Sequence, residues 1–177
     1  MMNEQVILVN EHDVQTGTMP KLEAHQKGLL HRAISVFIFN SQGELLLQQR
    51  ALGKYHSAGL WSNTCCSHPR PGETPLAAAE RRIQEEMGIS VSLSFLYTFQ
   101  YRADLENELI EHELDHVFWT VSDQAPQINP EEVVNFRYIT IPDLLHSIEE
   151  FPQNYSEWFK ICLEDVLHHL NIKVGEI

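Results

Sequence analysis

The chain predicts an α/β fold of the α+β type, a mixed β-sheet covered by helices. Three observations predict it. Apolar runs rich in β-branched and aromatic residues recur along the chain, with residues 33–39 (AISVFIF) the strongest. Residues 75–87 and 155–170 instead carry apolar side chains at helical spacing. The resulting order, β-β-β-α-β-β-β-α-α, suits a sheet with helices packed against it. A length of 177 residues sets the expectation of one domain over residues 1–177.

Taken in order, residues 5–9 (QVILV) predict the first strand, and Asn10 to Gly17 a turn. Residues 21–31 are polar and carry His25 and His31. Strand 33–39 turns through Asn40-Ser-Gln-Gly43 into a returning strand at 44–49, and residues 50–60 read as a loop with Arg50 and Lys54. Thr74 caps a helix with Pro75 at its first position; Leu76, Ala79, Ile83 and Met87 form its apolar face and Gly88 its stop. Strands follow at 90–99, 111–121 and 133–139. A short helix over 142–149 starts after Thr140 or Ile141. The last helix, 155–170, buries Trp158, Ile161, Cys162, Val166, Leu167 and Leu170.

The net charge is 12 − 25 = −13, which argues against a duplex nucleic-acid partner. An anionic small molecule stays compatible, because a divalent cation inverts the local sign. No apolar run has membrane-span length and no basic-then-apolar leader opens the chain, so a cytoplasmic protein without a membrane partner is expected. Three cysteines in that setting predict reduced thiols.

Ten histidines raise the question of a metal. On a strand, Glu111 and Glu113 point to one face and His112 to the other. Two such carboxylates repel unless a cation lies between them, and His25, His31 and His68 are candidate imidazole partners. Three nitrogens with two or three oxygens suit Mn²⁺, Mg²⁺ or Zn²⁺. Asp115 shares the Glu111/Glu113 face, behind the ligands. His12, His56, His146, His168 and His169 read as ordinary histidines. Arg81/Glu85 and Arg82/Glu86 are i,i+4 pairs, which a solvated helix also produces.

Glu73, Arg81, Ile83, Glu85, Glu86, Gly88 and Ile89 fall in a register that resembles the Nudix box, a loop–helix–loop that holds divalent cations on diphosphates. Ser67 stands where that box opens with glycine, and Arg82 where it has a glutamate. The missing carboxylate weakens a hydrolase reading.

Gly17-Thr18, Lys21 with His25, Asn63-Thr-Cys-Cys-Ser-His-Pro69, Glu111-x-Glu113 and Tyr155-Ser-Glu-Trp158 together resemble the type I isopentenyl-diphosphate isomerases. The likeness runs from about Val6 to about Trp158. It implies a Nudix-like sheet sandwiched between helices, and isomerisation of isopentenyl to dimethylallyl diphosphate in isoprenoid biosynthesis. By that pattern Cys66 is catalytic, with Cys65 a variable neighbour. His25, His31, His68, Glu111 and Glu113 hold the metal, and Glu86 holds a Mg²⁺ on the diphosphate. Lys21, Arg50, Lys54 and Arg82 contact the diphosphate, while Tyr101 and Trp158 lie near the reacting carbons. Without the resemblance Trp158 reads as a core aromatic and Tyr101 as a strand residue.

Moving an unactivated double bond needs one proton delivered and another removed from the neighbouring carbon, so two opposed acid–base groups are required. Cys66 and Glu113 are the candidates, with Tyr101 as a relay for Glu113. The donor in the forward direction stays open, as do the metal's identity and the choice between monomer and dimer. Cys162, on an apolar helix face, reads as an inert buried thiol.

Overall fold

In the computed structural model, which describes residues 4–172, the chain begins β1 (Gln5–Val9), β2 (Gln15–Pro20), α1 (Lys21–Lys27), β3 (His31–Phe39) and β4 (Leu45–Arg50). Two short strands, β5 (Trp61–Ser62) and β6 (Cys65–Ser67), precede α2 (Pro75–Met87). Then come β7 (Ser94–Asp104), β8 (Ile110–Val121), β9 (Val133–Ile139), α3 (Ile141–Glu150) and α4 (Glu157–His169). The nine strands form one mixed sheet.

Strand β3 is its axis. One edge pairs in parallel with β8 over its whole length, from His31↔Glu113 to Phe39↔Val121. The other edge is shared in succession by β1 at His31, β6 at Ile34–Val36 and β4 at Phe39, all antiparallel. A strand paired on both edges and covered on both faces has to be apolar throughout, which is what residues 33–39 supply. Ile34, Val36 and Ile38 pack with Ala79, Ile83 and Met87 of α2, and Phe37 and Phe39 with Phe159, Leu163 and Val166 of α4. The expected sandwich follows from this alternation.

Thr74 caps α2, its side chain accepting the Ala77 N–H at 3.2 Å, with Pro75 in the first turn. Gly88 ends the helix in the left-handed region, at φ 65°. Thr140 caps α3, which starts at Ile141. Several expectations need correction. Residues 21–27 form a helix, bounded by Pro20 and by Gly28 at φ 60°. Residues 15–20 are a strand in place of part of a turn. Arg50 ends β4 and is not a loop residue. The strand placed at 90–99 spans Ser94–Asp104. Leu76 and Ile161 face outward, at 40% and 43% exposure. Both fall at positions that a helical stripe of this width leaves at its rim.

Candidate active site

Sheet register assembles the site. Tyr101 of β7 pairs with Glu113 of β8, and Glu113 with His31 of β3, so three side chains stand in one row across three strands. Glu111 lies two residues back on β8 and shares that face, while the His112 ring turns away to the Gly28 carbonyl at 3.0 Å. On the other edge of β3, Ser35 pairs with Cys66. Alternation along β6 sends Cys65 into the apolar layer under α2 and turns Cys66 and His68 to the opposite face. Helix α1 adds Lys21 and His25, four residues apart.

These side chains line a narrow cleft walled by Lys21, Arg50, Cys66, Tyr101, Glu113 and Trp158, with Ser35, His56, His68 and Glu111 beside them. Arg50 crosses its floor. Its guanidinium carbon lies 5.0 Å from the Trp158 ring centroid, and Nη1 points at Cys66 Sγ from 3.9 Å. The indole N–H of Trp158 donates to Asn63 Oδ1 at 3.3 Å.

His25, His31, His68 and Glu113 are buried, with ligand atoms within 4.8 Å of one another. The Nδ1–H groups of His25 and His31 donate to the carbonyls of Lys21 and Leu29, both at 2.8 Å. That leaves each Nε2 as a bare lone pair, buried and without a hydrogen-bond partner. The Nε2 atoms of His25, His31 and His68 stand 3.9, 3.4 and 2.9 Å from one oxygen, Glu113 Oε1. The bare Nε2 atoms of His25 and His31 facing a carboxylate oxygen in a dry site are costly unless a cation is shared among them, and carbonyl-anchored imidazoles are how such ligands are oriented. The residues fit a divalent metal.

Burial draws His25 down to about 4 and His68 to about 3, with Lys21 adding to the second. Both rings are therefore neutral at pH 7, the form that ligates. Burial, with Glu113 beside it, lifts Glu111 well above the usual carboxylate range. Burial pushes Glu113 the same way, but His68 and His31 outweigh it and hold Glu113 well below. Tyr101 Oη lies 2.7 Å from Glu113 Oε2 and 3.1 Å from Glu111 Oε2. Burial pushes the Cys66 thiol up to about 12 despite the pull of Arg50, so it keeps its proton. Asp115 sits behind this face, where its Oδ2 accepts the Ser35 hydroxyl at 2.6 Å.

Not every expected residue reaches the cleft wall. Lys54 and Arg82 gather instead around Glu132, which pairs with Lys54 and stands 3.3 Å from Arg82, and Glu86 joins them through Arg82. Arg82 Nη2 donates to Glu86 Oε1 at 2.5 Å and Gln48 Nε2 to Glu86 Oε2 at 3.0 Å. One residue was passed over. His56, read as an ordinary histidine, is 5% exposed and lies inside the site, stacked on His25.

The mixed sheet and the capped α2 carrying Arg81, Glu85 and Glu86 suit a Nudix domain, and the NUDIX domain family profile matches residues 29–159. Solved structures agree on the fold. A protein of Deinococcus radiodurans superposes with a TM-score of 0.69 at 24% identity, covering 83% of this chain and 90% of its own. A MutT protein from Methanosarcina mazei gives 0.67 at 17% identity, with 81% and 96% covered. Among curated relatives, the isopentenyl-diphosphate Delta-isomerase of Pectobacterium atrosepticum is 55% identical over 157 residues, spanning 89% of this chain and 88% of that one. That of Photobacterium profundum is 46% identical over 177 residues, with 97% and 98% covered. The chain is an enzyme of the isopentenyl-diphosphate Delta-isomerase family, on a Nudix fold.

Proposed function

We propose that the chain interconverts isopentenyl and dimethylallyl diphosphate by adding a proton at one carbon and removing one at its neighbour, through a tertiary carbocation. The observation that carries the reading is a protonated thiol, Cys66, facing the same cleft as the Tyr101–Glu113 pair. Cys66 and Glu113 are the opposed acid–base groups, Tyr101 relays the proton of Glu113, and the donor of one direction is the acceptor of the other. Trp158 turns its π face to the cationic carbon, worth about 2 kcal/mol in a desolvated site. Arg50 over that ring in the ligand-free chain supports the assignment.

His25, His31, His68, Glu111 and Glu113 hold the divalent cation, Mn²⁺, Mg²⁺ or Zn²⁺. When bound, it supplies the positive charge that keeps two adjacent carboxylates side by side. Lys21 and Arg50 take the diphosphate at the cleft. Lys54 and Arg82 join them by exchanging Glu132 for phosphate oxygens, and Glu86 holds a Mg²⁺ on the diphosphate. Such charge-assisted contacts anchor a substrate whose reacting end is a small hydrocarbon. In this reading the whole activity resides in one domain, in a cytoplasmic protein without nucleic-acid or membrane partners, acting as a monomer.

The test is proton exchange. With isopentenyl diphosphate and Mg²⁺ in D₂O, the alkene NMR signals should convert to deuterated dimethylallyl diphosphate. Release of phosphate or pyrophosphate instead would make the chain a hydrolase. Cys66→Ala should abolish conversion, by at least about 10²-fold, and leave diphosphate binding nearly intact. Retained turnover would remove Cys66 from the reaction.

A further inference from the structure

Asn63 opens the Asn-Thr-Cys-Cys-Ser-His segment and has no part in the reading above, yet its side chain is completely buried. Its amide nitrogen donates to the Val36 carbonyl at 3.2 Å and to the Cys65 carbonyl at 2.7 Å. Its amide oxygen accepts the Ser62 hydroxyl at 2.9 Å and the Trp158 indole N–H at 3.3 Å. All four hydrogen-bonding positions of the amide are filled, and the two carbonyls fix which end is nitrogen.

The four partners come from four elements. Val36 is on β3, Ser62 on β5, Cys65 on β6 and Trp158 in the first turn of α4. The Cys65 carbonyl belongs to the peptide bond that leads into Cys66, whose side chain faces the cleft. One rigid amide therefore holds both the backbone under the thiol and the ring of Trp158. A second link fixes where α4 begins: Ser156 donates its hydroxyl to the Ser62 hydroxyl and its N–H to the Trp61 carbonyl, both at 3.0 Å. The indole itself has a single donor, and Asn63 takes it. The Arg50 guanidinium that lies over the ring leaves it when it takes the diphosphate. The hydrogen bond to Asn63 then still holds the ring plane.

We propose that Asn63 is a positioning residue for the isomerisation, keeping the Trp158 ring and the Cys66 peptide in one fixed relation. The inference rests on the roles given to Trp158 and Cys66 under Proposed function and extends them. A π face steadies a carbocation only when aimed at it, and a thiol moves a proton only along a short, aligned path. A misplacement of about 1 Å is enough to cost about 10²-fold in rate. The hydrocarbon end of the substrate offers no polar group to grip, so its alignment has to be built into the walls. The diphosphate is held by other residues, so Asn63 acts on kcat and not on KM.

The experiment exchanges Trp158 for its benzothienyl isostere, in which sulfur replaces the N–H. The side chain keeps its size and π face, and Asn63 keeps its other three partners, so no further buried group is left unpaired. We expect kcat to fall about tenfold or more with KM for isopentenyl diphosphate unchanged. Full kcat in the isostere would overturn the proposal, as would a loss carried by KM alone. Asn63→Leu, of similar size, should lower kcat in the same way, and a folded Asn63→Leu chain with wild-type kcat would overturn it equally. In ¹⁵N NMR of the wild-type chain the Trp158 Nε1–H should exchange slowly with D₂O. Immediate exchange would refute the hydrogen bond, whether or not the variant folds. A wild-type chain that converts no isopentenyl diphosphate would refute the reaction itself. The indole signal is read without substrate, which separates the two failures.

Discussion

Tyr101 stands between two carboxylates that carry opposite protonation preferences, and its hydroxyl reaches both. Tyr101→Phe keeps the ring in the core and deletes that one link. We expect kcat to fall about 10²-fold, the usual weight of a proton-transfer group, with metal content by elemental analysis unchanged. An unaltered kcat would leave Tyr101 as packing. At this scale the sequence was legible where residue type and strand period act together. Glu111 and Glu113 face one way and His112 the other. His56 was not legible, because it lies in a stretch without periodicity and only the closure of that stretch over the site puts its ring beside His25. Lys54 and Arg82 were placed on the substrate, whereas in the ligand-free chain Glu132 holds them. Nothing local ties a glutamate so far along the chain to either cation.

Among the elements, α2 shows how local chemistry sets a boundary. Gly88 stops it at φ 65°, and a Cβ there would lie 2.7 Å from the Gln127 carbonyl oxygen, which is backbone and cannot swing aside. Gly88→Ala therefore combines left-handed strain with a clash and should cost more than about 1 kcal/mol in urea unfolding. A loss below that would mean that the 127 segment yields. The opposite case is α1, whose signals were present: Pro20 before it, Gly28 after it, and Lys27 and His25 in its last turn. Its seven residues bury only Ala24 and His25, too few to display a stripe, so composition hid it. β5 and β6, of two and three residues, are shorter than one clear alternation. Arg50 read as loop because the ladder from β4 to β9 carries an irregularity between Gln49 and Arg50.

For the molecule as a whole, the metal and the pH dependence of stability are one subject. In the metal-free fold His25 and His68 protonate only near about 4 and about 3, whereas in the unfolded chain they do so near the usual 6.5. A depressed folded value means that the unfolded state takes its protons first. Their contribution is thus complete above about pH 6.5 and drains away as the pH falls toward 4 and then 3. Chelator-treated protein should lose melting temperature across that window, and loaded protein should resist to lower pH, because protons must then displace the cation. A flat profile from pH 7 to 4 without metal would show that these rings are hydrated and not buried. The same reasoning explains why the sandwich was legible and the site only in part. Layering follows from hydrophobic period along each strand, while the site depends on which distant segments meet.

The pairing of β3 with β8 also has a consequence for how the protein comes into being. Ser35 and Asp115, joined across that ladder, are 80 positions apart, and parallel pairing at such separation is slow to form. During synthesis the most apolar strand leaves the ribosome with its long edge bare and waits for residues 110–121 to be translated. Until then the nascent chain presents Ile34, Val36 and Phe37 to whatever it meets. The thiol and the imidazoles meet the carboxylates of β8 only when that last long partner has zipped against the strand.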